Sequence, residues 1–234
     1  MYQDAFQDIV FSDYQVRKEW AVLLFYPFDY TFVCPTELIS YSNAKSKVSE
    51  YVVCCDVWCG VVWYTTKSSE HALTLTPSFA CSPLEKKHYY NQFDELNTKV
   101  LAISTDSHHA HLAWTRAKRE DGGVGALQIP LVADTAHDIA RSYGVLVTDP
   151  EDEMYGAALR GLFIVDASGK IRMMQINDDS VGRNVEETLR LVKAFQYSDA
   201  HVGEACPASW QPGDDAIKAD PWGAREYFSK HGKD

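Results

Sequence analysis

The run Val100-Leu-Ala-Ile-Ser104 constrains the fold most, because it is short, continuous and β-branched and offers no polar face. Such a run suits a strand buried on both sides, as in a sheet covered by helices on each face. Ile129 to Ala133 and Gly161 to Val165 read the same way, and Ala21 to Phe28 is an apolar run entering a turn at Pro27. Asp166-Ala-Ser-Gly-Lys170 is a tight-turn sequence leading into Ile171 to Ile176, which predicts a hairpin with the preceding strand. Helical periodicity lies between and after these runs. Val185, Leu189, Val192 and Phe195 follow i, i+4, i+7 spacing, with Asn184 as the N-cap and Glu187 three residues on. His109 to Arg119 and Ala136 to Tyr143 are further helical segments, the latter ended by Gly144. Strands alternating with helices predict an α/β fold with a central sheet flanked by helices. After Ser198, Gly, Pro, Asp and Lys break the pattern, and an extended C-terminal arm is expected.

The length of 234 residues is enough for one such domain with an appended arm. A formal net charge of −11 argues against a general binder of nucleic acid or membrane surfaces, since both require clustered basic charge. No segment approaches the roughly 20 apolar residues of a membrane span; the nearest, Tyr51 to Tyr64, carries Asp56. The N-terminal residues lack the basic and apolar regions of a secretory signal, so a cytoplasmic location is expected. Of six cysteines, Cys54, Cys55, Cys59 and Cys81 crowd one stretch, while Cys34 and Cys206 stand far apart. Isolated cysteines in such a chain read as redox or catalytic groups rather than staples.

Cys34 lies in Phe25-Tyr-Pro-Phe-Asp-Tyr-Thr-Phe-Val-Cys-Pro-Thr-Glu-Leu38. An apolar strand ends at Pro27, a loop follows, and Pro35 and Glu37 belong in the first turn of a helix. Cys34 therefore begins a helix, where free N–H groups and the helix dipole favour a thiolate. Thr31, three residues upstream, would bring a hydroxyl near the sulfur, and an arginine from elsewhere would stabilise the thiolate. Read without these neighbours, a free cysteine is more often a buried structural thiol.

The pattern Pro27-x-x-x-Thr31-x-x-Cys34, within YTFVCPTE, resembles the active-site signature of the typical two-cysteine peroxiredoxins of the AhpC/TSA family. His111-Leu-Ala-Trp, Gly122-Gly-Val-Gly, Arg160-Gly-Leu-Phe-Ile-Val-Asp, Val181-Gly-Arg, Ala194-Phe-Gln-Tyr and Gly203-Glu-Ala-Cys-Pro-Ala-Ser-Trp resemble family segments in family order. The likeness covers roughly residues 4–47 and 93–234. It implies a thioredoxin-like fold, with residues 1–197 forming the peroxidase domain and 198–234 the arm that bears the resolving cysteine. It further implies that Cys34 is the peroxidatic cysteine, Cys206 the resolving cysteine of a partner subunit, and Thr31 a peroxide-binding residue. Pro27 would shield the pocket, Arg160 supply positive charge, Glu37 orient that arginine, and Arg183 stand near it. The implied cycle takes Cys34 through sulfenic acid to an intersubunit disulfide that thioredoxin reduces, without metal or organic cofactor. Homodimers assembling into a decameric ring are expected, as is ready overoxidation, because Gly122-Gly-Val-Gly and Tyr227-Phe228 match segments that cover the active-site helix. Trp114 and Trp210 read as packing groups, and His108, His109 and His111 as solvent-facing residues.

The chain departs from the family in two places. Its relatives carry an additional N-terminal segment with an Ala-Pro-x-Phe strand, so Met1 is expected not to be the natural start. An insertion from Val48 to Gln92 interrupts the helix that Cys34 begins, and removing it gives SNAKSKFDELNTKV, a continuous amphipathic helix. A metal or redox module built on the four clustered cysteines and a plain surface insertion are two readings of it, but no Cys-x-x-Cys is present. The favoured reading is a retained intron, since Val-Ser and Gln codons can spell its edges. Beside the peroxidase stand two alternatives: a chaperone-like oligomer, and an inactive product whose pocket the insertion prevents from assembling.

Overall fold

Trp20–Phe25 forms β1, and all six of its side chains are buried. Alternate residues serve opposite faces of the sheet, which is why the run needs no polar position. Trp20, Val22 and Leu24 join a core with Leu38, Tyr41, Trp114, Leu189 and Val192. Ala21, Leu23 and Phe25 join a second core with Ala140, Val145 and Phe163, sealed by Phe11 and Tyr14. The computed structural model describes residues 9–45 and 92–232.

The remaining elements follow in chain order around that strand. Helix α1 spans Phe11–Val16 ahead of β1, and α2 spans Cys34–Lys45 after it. Then come α3 (Gln92–Glu95), β2 (Thr98–Ser104), α4 (His108–Arg116), β3 (Leu131–Ala133) and α5 (Asp138–Ser142). Strands β4 (Arg160–Val165) and β5 (Ile171–Asn177) precede the long helix α6 (Val185–Ala200). The arm holds β6 (Glu204–Ala205), β7 (Ile217–Lys218) and α7 (Ala224–His231). The main sheet is mixed, in the order β3-β2-β1-β4-β5. β2 lies parallel to β1 with Val22 opposite Val100, and β4 lies antiparallel to it with Leu24 opposite Leu162. The expected hairpin is present: β4 and β5 pair antiparallel across the Asp166–Lys170 turn, where Gly169 takes the left-handed conformation at φ 87°.

Three differences from expectation have local causes. The helix expected from Ala136 begins only at Asp138, because His137 sits in the left-handed region at φ 61°. Its first amides are instead satisfied by Asp134, whose carboxylate accepts from Ile139 N and Ala140 N. The expected cap of α6 is formed, as Asn184 accepts from the amides of Glu186 and Glu187. The Glu187 carboxylate, however, pairs with Arg190 rather than reaching back to the cap. The arm is not extended throughout. α6 continues past Ser198 to Ala200, β6 and β7 form a two-stranded ladder, and α7 lies beside β7. Two-residue strands are too short to show a period, and α7 is only eight residues long and buries no side chain.

The insertion lies outside the described residues apart from its last position, Gln92. Its four cysteines lie there too. Of the helix expected on its removal, residues 42–45 end α2 and 93–95 belong to α3, whereas Asn97 turns at φ 48° and 98–100 already form β2. The flanks are adjacent: α3 packs beside α2, and the buried rings of Tyr41 and Phe93 stack with centroids 6.1 Å apart.

Candidate active site

Cys34 is the first residue of α2, with Pro35 and Glu37 in its opening turn. The Val33 carbonyl accepts from the Thr36 amide and hydroxyl and from the Glu37 amide, which pins the start of the helix. Cys34 is fully buried. Extending the β1–β4 register by two residues brings Arg160 opposite Tyr26, beside the loop that leads to Cys34. Arg160 Nη1 accordingly lies 3.5 Å from Cys34 Sγ.

The same Nη1 donates to Glu37 Oε2 at 2.7 Å, and Nη2 donates to the carbonyl and the carboxylate of Asp179 at 2.8 and 2.9 Å. Arg183 closes the other side of Glu37. Its amide and Nε donate to Oε1 at 2.6 and 2.8 Å, and its Nη2 donates to Oε2 at 2.8 Å. The Arg183 Nη1 donates to the carbonyls of Phe25 and Gly161, tying the end of β1 to β4 and both to α2. Burial opposes ionisation of Glu37, but hydrogen bonds and charge from Arg183, with the charge of Arg160, hold its carboxyl below the usual range. Burial likewise works against the Arg160 charge, and the contacts with Cys34 and Glu37 more than offset it. A carboxylate between two guanidiniums satisfies the requirement that buried charges be paired and hydrogen-bonded. Arg160 Nε alone of that guanidinium's nitrogens has no partner among the described residues.

Pro27 is buried in the loop between β1 and α2, and Thr31 is partly buried with its hydroxyl donating to the Phe28 carbonyl at 3.1 Å. That bond leaves the Thr31 oxygen free to accept. The loop is held by a group that sequence reasoning missed. His111, expected at the surface, is 4% exposed, and its Nδ1 lies 2.9 Å from Asp29 Oδ2. Tyr26 donates to Asp29 Oδ1, and the Asp29 amide donates to Asp106. The cause is Asp29 itself: a carboxylate turned into the core needs donors, and α4 supplies the imidazole. The spacing of 82 residues between them hid the pair. Trp114 and Trp210 are packing groups, buried and hydrogen-bonded through their indole nitrogens to Gly122 and Asp214. Gly122–Gly125 is thereby tied to α4, and a Cβ at Gly123 would collide with the Ala117 carbonyl.

Cys206 follows β6 in the arm, with its thiol donating to the Ala194 carbonyl at 3.6 Å. Burial raises its pKa above the ordinary thiol value; Arg190 opposes the shift and Glu204 adds to it. Both Cys34 and Cys206 are free thiols here.

The sequence matches the profile of the AhpC/TSA family over residues 2–55 and 80–174, and that of the C-terminal domain of 1-Cys peroxiredoxin over 194–230. It is 42% identical to peroxiredoxin-2 of Cricetulus griseus over 227 residues, covering 97% of this chain and 88% of that protein. The fold is similar to that of the reduced 2-Cys peroxiredoxin of Plasmodium vivax, with a TM-score of 0.67 and 28% identity over 91% of this chain and 83% of the other. It is also similar to thioredoxin peroxidase I of Plasmodium yoelii, with a TM-score of 0.58 and 30% identity over 88% and 87%. The fold is thioredoxin-like, as the signature around Cys34 implied.

Proposed function

The chain belongs to the AhpC/TSA family and is a thiol peroxidase, and from that premise we propose that Cys34 is its peroxidatic cysteine and Cys206 its resolving cysteine. The observation that carries the reading is Arg160 Nη1 at 3.5 Å from Cys34 Sγ, at the first turn of a helix and backed by Glu37. In the reaction the Cys34 thiolate attacks one peroxide oxygen and the O–O bond breaks. The departing oxygen takes the electron pair and a proton and leaves as water or an alcohol. Cys34 is oxidised to sulfenic acid. Arg160 stabilises the charge that develops on the departing oxygen, and its Nε–H is a donor without a partner among the described residues. Thr31 receives the peroxide through its free lone pairs, Pro27 shields the sulfur from water, and Glu37 orients Arg160.

Cys206 then condenses with the sulfenic acid, releasing water and forming a disulfide. A reduced thioredoxin restores both thiols by exchange and leaves as its own disulfide. Similarity to the P. yoelii thioredoxin peroxidase supports that reductant. A homodimer that assembles further into a ring suits the unpaired outer edge of β5 among the described residues, where Met174 and Ile176 are exposed. We assign the protein to the cytoplasm. No helix among the described residues is long and apolar enough to cross a membrane. The comparisons favour the peroxidase over the chaperone-like reading.

The test is peroxide-dependent oxidation of reduced thioredoxin by the full chain. Turnover that is lost in Cys34→Ser, and that stops after one sulfenic acid in Cys206→Ser, supports the assignment. Undiminished turnover in Cys34→Ser would refute it.

A further inference from the structure

Arg160 touches three groups that are or can become anionic, and they differ in their access to solvent. Cys34 and Glu37 are buried, whereas the Asp179 side chain is 62% exposed. Asp179 therefore covers the outward side of the guanidinium, on the nitrogen next to the one that meets Cys34 Sγ. Its position is fixed by the turn after β5. The Asp178 carboxylate accepts from the amide and hydroxyl of Ser180, the Val181 amide donates to the Asp178 carbonyl, and Asn177 Nδ2 donates to the Val181 carbonyl. The Asp179 main-chain carbonyl already holds Nη2 at 2.8 Å, so its carboxylate is not needed to keep Arg160 in place. What the carboxylate adds is negative charge on the solvent side of the guanidinium beside the reactive sulfur.

We propose that Asp179 is a specificity-determining residue that biases the Cys34 site towards neutral hydroperoxides and against anionic ones. The inference rests on Cys34 being the peroxidatic residue. An uncovered Arg160 would draw anions towards the sulfur, because a partly desolvated guanidinium projects its field into the approach path. With Asp179 ionised, that field is cancelled outward while the inward nitrogen stays available to Cys34. Hydrogen peroxide, being neutral, is little affected. An anionic peroxide meets the carboxylate one guanidinium away from its target.

Peroxymonosulfate is a suitable probe, because near neutral pH its hydroperoxyl group is protonated and its sulfonate carries a fixed charge. The Cys34 thiolate would attack its hydroxyl oxygen, the O–O bond would break, and sulfate would leave with the electron pair as Cys34 becomes sulfenic acid. Second-order rate constants for oxidation of Cys34 are measured with hydrogen peroxide and with peroxymonosulfate in the full-length wild type, Asp179→Asn and Asp179→Glu. The ratio of anionic to neutral rate constants is expected to rise about three- to tenfold in Asp179→Asn and to converge on the wild-type value as salt is added. In Asp179→Glu it should stay within about twofold of wild type. A ratio unchanged in Asp179→Asn, or a common fall in both rate constants, would overturn the proposal, since a merely structural role acts on both substrates alike. Failure of the underlying assignment looks different: neither peroxide would then oxidise Cys34 in the wild type.

Discussion

Arg160 Nη1 lies 3.5 Å from Cys34 Sγ and at the same time donates to Glu37 Oε2 at 2.7 Å. The nitrogen is thus oriented by a buried carboxylate before any substrate arrives, which is what electrostatic preorganisation requires. Replacing Arg160 by Met keeps the volume and removes the donors. The rate constant for hydrogen peroxide should fall by about a hundred- to a thousandfold, read by stopped-flow oxidation of Cys34. Arg160→Lys should recover only part of it, because an ammonium cannot span sulfur, Glu37 and Asp179 with a planar fork.

Glu37 links the site to stability. Its carboxyl is held below the ordinary value of 4.5, so its contribution is complete above that value and is lost as pH falls through the lower folded-state value. Glu37→Gln leaves two buried guanidiniums without their shared counter-charge and should cost about 3–5 kcal/mol at neutral pH. Urea unfolding across the acid range should show the gap between wild type and variant closing as pH drops below about 4.5. A gap that widens there would contradict the sign.

Cys206 is expected to be the more sluggish attacking thiol at neutral pH. Burial raises its pKa above the reference value of 9.0, so its thiolate fraction near pH 7 is smaller than that of an ordinary cysteine. In Cys34→Ser, with the other thiols accounted for by a Cys34→Ser/Cys206→Ser control, the thiolate absorbance of Cys206 should titrate with a midpoint above 9.0.

Cys34 is buried in the first turn of α2, while Cys206 is engaged with Ala194 in the arm. In the proposed cycle a disulfide between them requires that turn to open, and such local opening is in competition with a second peroxide. Under excess peroxide and continuous turnover, mass spectrometry should find Cys34 accumulating as sulfinic acid. Its absence would show that the turn opens faster than peroxide arrives.

Tyr41 and Phe93 stack across the segment 46–91, and Phe93 is fully buried. Phe93→Ala should destabilise the full chain by about 3–5 kcal/mol in urea unfolding. A negligible effect would mean that the two flanks are not held together by this contact.

How much of this was legible in the sequence varied with the range of the interaction. The strands, the β4–β5 hairpin and the Asn184 cap depend on neighbouring residues, and period or turn chemistry carried them. Cys34 at a helix start was readable from Pro35 and Glu37 for the same reason. Arg160 became a candidate only through family resemblance, because no local rule shows that the β1–β4 register brings it to Cys34. The pairing of His111 with Asp29 escaped even that, since three nearby histidines on one helix look solvent-facing until a distant buried carboxylate is known. The fold of the arm was missed because β6 and β7 are two residues each and α7 is only eight residues long.

The most direct measurement of the central claim is the sulfenic acid yield at Cys34. Cys206→Ser, which lacks the proposed resolving thiol, is treated with one equivalent of hydrogen peroxide in the presence of dimedone and mapped by peptide mass spectrometry. The account predicts a near-stoichiometric adduct on Cys34. An unmodified Cys34, or an adduct confined to other cysteines, would contradict it.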